Sequence, residues 1–140
     1  MRLLFDTGVL GQICHPRKHE VVRAWFRGAA GEHDPLLSEV ADYELRRELL
    51  RIGSRRSLVR LDELTRELRY VPVTTATWQS AARLWANLRR AGRVTGDGLD
   101  GDVLIVAQAI EEESGIVTTN AKHFEELVDT FEWAAVPLMK

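Results

Sequence analysis

Short apolar runs alternate along this chain with longer segments of helical period, and that alternation points to a parallel sheet flanked by helices. Leu3-Leu4-Phe5 closes on Asp6, and Gly115 opens Ile116-Val117-Thr118-Thr119; both read as buried strands. Tyr70-Val71-Pro72-Val73 reads as a third strand, with the proline marking an edge position. Residues 133–138 read as a last strand. Between these runs, residues 20–30 place Val22, Trp25, Phe26 and Ala29 at helical spacing. Residues 37–52 do the same through Leu37, Ala41, Leu45, Leu49 and Ile52, up to the Gly53-Ser54 break. Further helices are predicted over 57–68, 77–88, 102–113 and, briefly, 121–127, with a glycine-rich acidic loop over 92–101. Trp25, Phe26, Trp78 and Trp85 recur at helical period and are expected in the core. The 140 residues predict a single domain over 1–140, long enough to bury a core without covalent staples.

Several function classes drop out at once. No apolar run approaches the roughly 20 residues that span a bilayer, and the N-terminus is too short in apolar residues for a signal peptide. Cys14 is the only cysteine, which removes an intramolecular disulfide and a cysteine zinc site; a cytoplasmic location is expected. Cys14 itself reads as a small apolar filler. His15 and His19 are four apart but lie in a proline-containing loop, so they are read as surface. The formal net charge of −2 argues against a simple electrostatic nucleic-acid binder. Its distribution matters more. Arg46, Arg47, Arg51, Arg55, Arg56 and Arg60 fall in one stretch, and Arg89, Arg90 and Arg93 in another. If the acids are sequestered, the outer surface is more basic than the total implies and a polyanion can approach. The same arginines also read as solvated helix faces.

The acids carry the chemistry. Asp6 stands where a buried strand runs out, and Asp102 stands immediately before Val103-Leu104-Ile105-Val106-Ala107. In an open parallel sheet the carboxyl ends of the strands share one crevice, where ligands bind. Carboxylates gathered there repel one another unless a cation is present. Oxygen ligands of this kind suit Mg²⁺ or Mn²⁺. Glu44 falls beside the apolar stripe of its helix and can point into a crevice, in competition with Glu39, Asp42 and Glu48. Asp102 also reads as a helix N-cap. Asp97 and Asp100 in the preceding loop are further candidates, and Asn120 would reach the same crevice as Asp6. Asp6-Thr7-Gly8 has the look of an aspartic protease, but those enzymes are almost wholly β and helical periodicity dominates here.

Taken in order, Leu3-Leu4-Phe5-Asp6-Thr7, Ser38-Glu39-Val40-Ala41-Asp42-Tyr43-Glu44-Leu45, Asp102-Val103-Leu104-Ile105-Val106-Ala107-Gln108-Ala109 and Ile116-Val117-Thr118-Thr119-Asn120-Ala121-Lys122-His123-Phe124 carry a family likeness. The chain resembles the PIN-domain nucleases, and among them the VapC-type toxins of bacterial toxin–antitoxin systems. The resemblance implies a three-layer α/β/α sandwich around a parallel sheet of about four or five strands. It implies a Mg²⁺- or Mn²⁺-dependent endoribonuclease with Asp6, Glu44 and Asp102 as catalytic acids. Asp6 and Asp102 would hold the metal, helped by Glu44, Asp100 or Asn120, with Thr7 and Thr119 beside them. Asn120 stands where the family has a fourth acid, which lowers the ligand charge, and Gly8 stands where a polar residue is more usual.

The resemblance also implies partners: an RNA substrate, a cognate antitoxin protein and a second copy of the chain in a homodimer. An antitoxin tail would lie between helices 20–30 and 37–68, against Val22, Leu50 and Leu58, and carry a basic side chain to the acids. Two alternatives remain open: a housekeeping PIN nuclease without antitoxin, and an inactive PIN-like module that binds RNA or protein, which Asn120 keeps in play.

Overall fold

The computed structural model describes residues 1–92, 99–119, 127–133 and 136. Among them, β1 (Arg2–Phe5) leads through α1 (Thr7–Cys14) and α2 (Glu20–Glu32) to β2 (Asp34–Ser38). Then come α3 (Glu39–Ile52), α4 (Arg55–Glu67), β3 (Arg69–Val71), α5 (Thr75–Arg90), α6 (Leu99–Glu111), β4 (Gly115–Thr118) and β5 (Thr130–Glu132). The strands form one five-stranded sheet in the order β3-β2-β1-β4-β5, and every pairing is parallel.

The side-chain alternation of β1 divides the interior in two. Leu3 and Phe5 face α1 to α4, where they meet Leu10, Phe26, Leu45 and Leu61. Phe5 stands edge-on to Trp25 and Phe26, with ring centroids 6.1 and 5.6 Å away. Leu4 faces the opposite side, where α5 and α6 supply Ala81, Val103, Ile105 and Ala109. The result is the expected α/β/α sandwich. Each fully buried leucine contributes roughly 1.5–3 kcal/mol of burial free energy.

Several local expectations are corrected. The helix read over 37–52 begins at Glu39, because residues 34–38 pair with β1 as β2. Leu37 keeps pace with Ala41 and Leu45 because strand and helix deliver them to the same core. Residues 7–14 form a helix that periodicity misses, since Gly8 and Gly11 weaken its pattern. Among the described residues the last strand is Thr130–Glu132; Trp133 follows it and packs on Trp25, centroids 5.9 Å apart, and most of the strand expected over 133–138 lies outside the described residues. The expected helix over 121–127 lies almost wholly outside the described residues, as does most of the 92–101 loop. Trp25 and Phe26 are buried as expected, but Trp78 is 59% and Trp85 39% exposed. Those two lie at the edge of the α5 face that packs through Ala81, Leu84 and Leu88, where they line a hollow beside α6 instead of entering the core. Among the described residues, no helix is long and apolar enough to cross a membrane.

Candidate functional site

The chain runs outward from β1 in both directions, through β2 to β3 on one side and from β4 to β5 on the other. The order of strands therefore reverses between β1 and β4, and at such a point the loops part and leave a crevice at the carboxyl ends. Asp6 stands over that gap, its backbone N–H donating to the Val117 carbonyl at 3.0 Å. It also caps α1, with Oδ1 accepting from the Val9 N–H at 3.0 Å. Thr118, the last residue of β4, donates its hydroxyl to Asp6 Oδ2. Burial raises the Asp6 pKa above the ordinary carboxylate value, against the lowering effect of Thr118 and the Val9 and Gly8 amides. The charge of Glu44 pushes it further up.

Glu44 arrives from α3. Ser38 starts that helix by accepting from the Val40 and Ala41 amides at 3.1 and 3.3 Å. One and a half turns on, Glu44 Oε1 accepts the Thr7 hydroxyl at 2.8 Å, next to Asp6 in the chain. The other oxygen lies against the first turn of α6: a Cβ on Gly101 would stand 2.8 Å from Glu44 Oε2. Asp100 and Asp102 flank that glycine in the same turn. Gly8 plays a similar part on α1, where a Cβ would meet Thr119 Oγ1 at 2.9 Å. Asp6, Thr7, Glu44, Thr118, Thr119 and the start of α6 thus lie at one end of the sheet.

The competing acids of α3 have other work. Glu39 Oε1 accepts the Val73 amide at 3.0 Å. Asp42 is buried between Arg46, at 2.9 Å, and the Tyr70 hydroxyl, at 2.7 Å. Burial and this carboxylate together raise the Tyr70 pKa well above that of a free phenol. Glu48 pairs with Arg51 on the surface. The capping role expected of Asp102 is corrected, since α6 begins at Leu99 and Asp102 lies within its first turn. Asp97 and Asn120 lie outside the described residues. Thr118, which touches Asp6, escaped the sequence reading, which singled out Thr119; strand alternation alone does not say which hydroxyl turns inward.

A buried glutamine locks the two acid-bearing helices together. Gln108 on α6 accepts the Ser38 hydroxyl at 2.6 Å and donates to the Val71 carbonyl at 2.9 Å. One polar side chain therefore joins the cap of α3, the edge strand β3 and α6. The surface arginines divide. Arg46, Arg51 and Arg60 are paired with acids, which leaves them poor phosphate contacts. Arg47 lies over the Tyr43 ring and Arg89 over the Trp85 ring, at 5.0 and 4.8 Å from the centroids. Arg93 is outside the described residues.

Among the described residues, no three His, Cys, Asp or Glu side chains close around a point where one ion would sit. The described site is a carboxylate pair, Asp6 and Glu44, each satisfied by a threonine hydroxyl. The donors are all oxygens, the set a hard divalent cation prefers. Burial of Asp6 beside a second carboxylate is a condition that a cation relieves.

A parallel α/β/α sandwich with acids and hydroxyls at its switch point defines the class. The chain belongs to the PIN domain family, whose model matches residues 3–129. No curated protein matches its sequence significantly. Among solved structures it is similar to a chain of VapBC2 from Rickettsia felis, determined bound to a DNA fragment from their promoter. That match has 20% identity, a TM-score of 0.79 and coverage of 95% of this chain and 99% of that one. DNA-bound VapBC from Salmonella typhimurium is similar at 20% identity and a TM-score of 0.77, covering 95% and 98%. The sarcin-ricin loop cleaving toxin VapC20 of Mycobacterium tuberculosis is similar at 13% identity and a TM-score of 0.65, covering 98% and 96%.

Proposed function

We propose that this chain is a metal-dependent endoribonuclease and the toxin of a toxin–antitoxin pair. The observation that supports this most is the meeting of Asp6 and Glu44 at the switch point of a PIN domain, beside the turn that carries Asp100 and Asp102. The similar structures, which include VapBC complexes and an RNA-cleaving toxin, favour the same reading. Asp6 and Asp102 would hold Mg²⁺ or Mn²⁺, with Glu44 contributing directly or through water and Asp100 or Asn120 completing the set. When bound, the cation polarises a phosphoryl oxygen and lowers the pKa of water for in-line attack. Thr118 and Thr7 fix the two carboxylates in place and occupy lone pairs that a cation would otherwise share. The first turn of α6 adds its partial positive charge where phosphate would lie.

The partner reading takes a revised location. Val22 is core and Leu50 points to solvent, so neither supplies the groove expected of them. A groove of about 570 Å³ does run between α1, α2 and α4. Ile13, Phe26 and Val59 line it, with Arg23, Arg55 and Arg56 among its lining cations. An apolar segment with acidic flanks, folding on contact, suits that lining. The homodimer and the cytoplasmic setting remain part of the proposal.

The test is cleavage of RNA by the purified chain with Mn²⁺ and with chelator. Asp102→Asn should abolish cleavage while leaving the thermal midpoint similar or higher. Full activity in that variant, or activity indifferent to chelator, would sink the assignment. Growth arrest on expression of the chain alone, relieved by Asp6→Asn, and co-purification with the product of an adjacent small gene would support the toxin reading. Harmless expression of an active enzyme would favour the housekeeping nuclease.

A further inference from the structure

α3 and α6 lie side by side and run in opposite directions. Ser38, at the head of α3, meets Gln108 towards the tail of α6. Six residues further along α3, Glu44 meets Gly101, seven residues back along α6. Those stretches span about 9 and about 10.5 Å, so the two helices keep pace between the two meeting points. In between, Val40 packs in one apolar cluster with Leu104 and Ala107. Apolar contact is non-directional, and by itself it lets one helix slide along the other.

The bond between Ser38 and Gln108 is directional, and both residues are fully buried. The Ser38 hydroxyl donates to Gln108 Oε1 at 2.6 Å. Such a bond is gone once its atoms part by much more than about 3.2 Å, whereas a slip of one residue along a helix is about 1.5 Å. Gln108 is also indexed to the sheet. Its Nε2 donates to the Val71 carbonyl at 2.9 Å, and Val71 is the register partner of Ser38 between β2 and β3. Ser38 in turn follows Leu37, the partner of Phe5, just as Asp6 follows Phe5. One amide therefore sets α6 against α3, and both against the level at which Asp6 leaves β1.

We propose that the Ser38–Gln108 bond pins the register of α3 against α6, and that Gln108 is thereby a positioning residue for the cation site. It acts through Glu44 on one helix and Asp102 on the other. This rests on the ribonuclease reading above and adds to it the device that aligns the acids. Glu44 approaches α6 at Gly101, where no Cβ intervenes. A slip of the pair carries Glu44 off that gap and alters its distance from Asp102. A misplacement of about 1 Å is enough to cost about a hundredfold in rate.

The experiment uses the full chain with Mn²⁺ alone as the probe. Mn²⁺ affinity is measured by calorimetry well below the thermal midpoint, and RNA cleavage at saturating Mn²⁺ is followed beside it. Gln108→Leu and Ser38→Ala should each weaken Mn²⁺ binding by about ten- to a hundredfold, the usual effect of losing a group that orients metal ligands. Both should lower kcat more than they raise KM. The double variant should bind Mn²⁺ no more weakly than Gln108→Leu, because the two changes break the same bond. Leu64→Ala, which opens a cavity in the layer of α1 to α4, should lose stability and keep parental Mn²⁺ affinity. Ser38→Ala, which costs the chain a single helix cap besides the pin, carries the test if Gln108→Leu does not fold. Parental Mn²⁺ affinity in either folded single variant overturns the pin and leaves the nuclease reading standing. Losses that add in the double variant, or an equal loss in Leu64→Ala, overturn it as well. A parent chain that binds no Mn²⁺ removes the nuclease reading and the pin together.

Discussion

Replacing Gly101 by alanine should separate stability from function at this site. Gly101 lies in the first turn of α6 and has no left-handed backbone angle, so alanine is sterically allowed there. Its new Cβ would stand 2.8 Å from Glu44 Oε2 and 3.2 Å from Oε1 and the carboxyl carbon, whereas ordinary contact begins near 3.4 Å. The carboxylate must therefore retreat by about half an ångström or more. It is the far end of a flexible side chain and can do so, at the expense of its 2.8 Å bond from Thr7. Losing that partly exposed bond costs about 1 kcal/mol. Alanine returns about 0.5–1 kcal/mol through helix propensity and a less disordered unfolded chain. The two nearly cancel, and the thermal midpoint should move by no more than about 4 °C. Activity should not be spared, because a misplacement of this order can cost about a hundredfold. The assay is RNA cleavage in Mn²⁺, with Mn²⁺ affinity measured by calorimetry and stability by thermal melting. Parental cleavage and parental Mn²⁺ affinity in a folded Gly101→Ala protein would refute the argument. So would a loss of several kcal/mol in stability, which would mean that Glu44 is rigidly anchored.

Two further outcomes follow from the same geometry. In metal-free buffer, the raised Asp6 pKa means that the folded chain holds its proton more tightly than the unfolded chain, so Asp6 costs stability as pH rises from 3.8 to its raised folded value. Asp6→Asn should therefore match the parent in strong acid and exceed it at neutral pH in urea unfolding; a variant less stable at pH 7 contradicts this. Gln108→Leu removes the acceptor of the Ser38 hydroxyl and the donor to the Val71 carbonyl, and should destabilise the chain by about 2–4 kcal/mol. A change below about 1 kcal/mol, the worth of one ordinary hydrogen bond, would show that water replaces both partners.

What the sequence made legible was the part set by repetition. Leu3 to Phe5 and Ile116 to Thr118 are short, apolar and bounded, so they could only be buried strands, and they lie side by side in the sheet. The long helices were equally plain, because a face of Leu45, Leu49 and Leu61 must find a core. β2 was hidden because it runs directly into α3 and places Leu37 in register with the helix that follows. The exposed positions of Trp78 and Trp85 were hidden for a different reason. Hydrophobic periodicity reports that residues share a face, not how far a partner covers it, and here the partner covers Ala81, Leu84 and Leu88 but leaves the two tryptophans at the rim. The site was half visible. Asp6 could be placed from its strand alone, whereas Glu44 was one of four acids on a single helix. Only the tertiary structure assigns the other three to Val73, to Arg46 with Tyr70, and to Arg51.

The two threonines explain how the acids coexist in the folded chain. Placing Asp6 under cover next to Glu44 is unfavourable, and the raised pKa of Asp6 records it. Thr118 and Thr7 each offer one hydroxyl, one to each acid, and so offset part of the desolvation without introducing a positive charge. An arginine or lysine in either place would satisfy the acid more strongly and would compete with a cation for it. A hydroxyl is a weaker partner that can rotate, and its own oxygen can accept as well as donate. The arrangement thus holds two carboxylates in position while keeping them available to a stronger ligand. That is the balance a site needs if it must fold before its cation arrives.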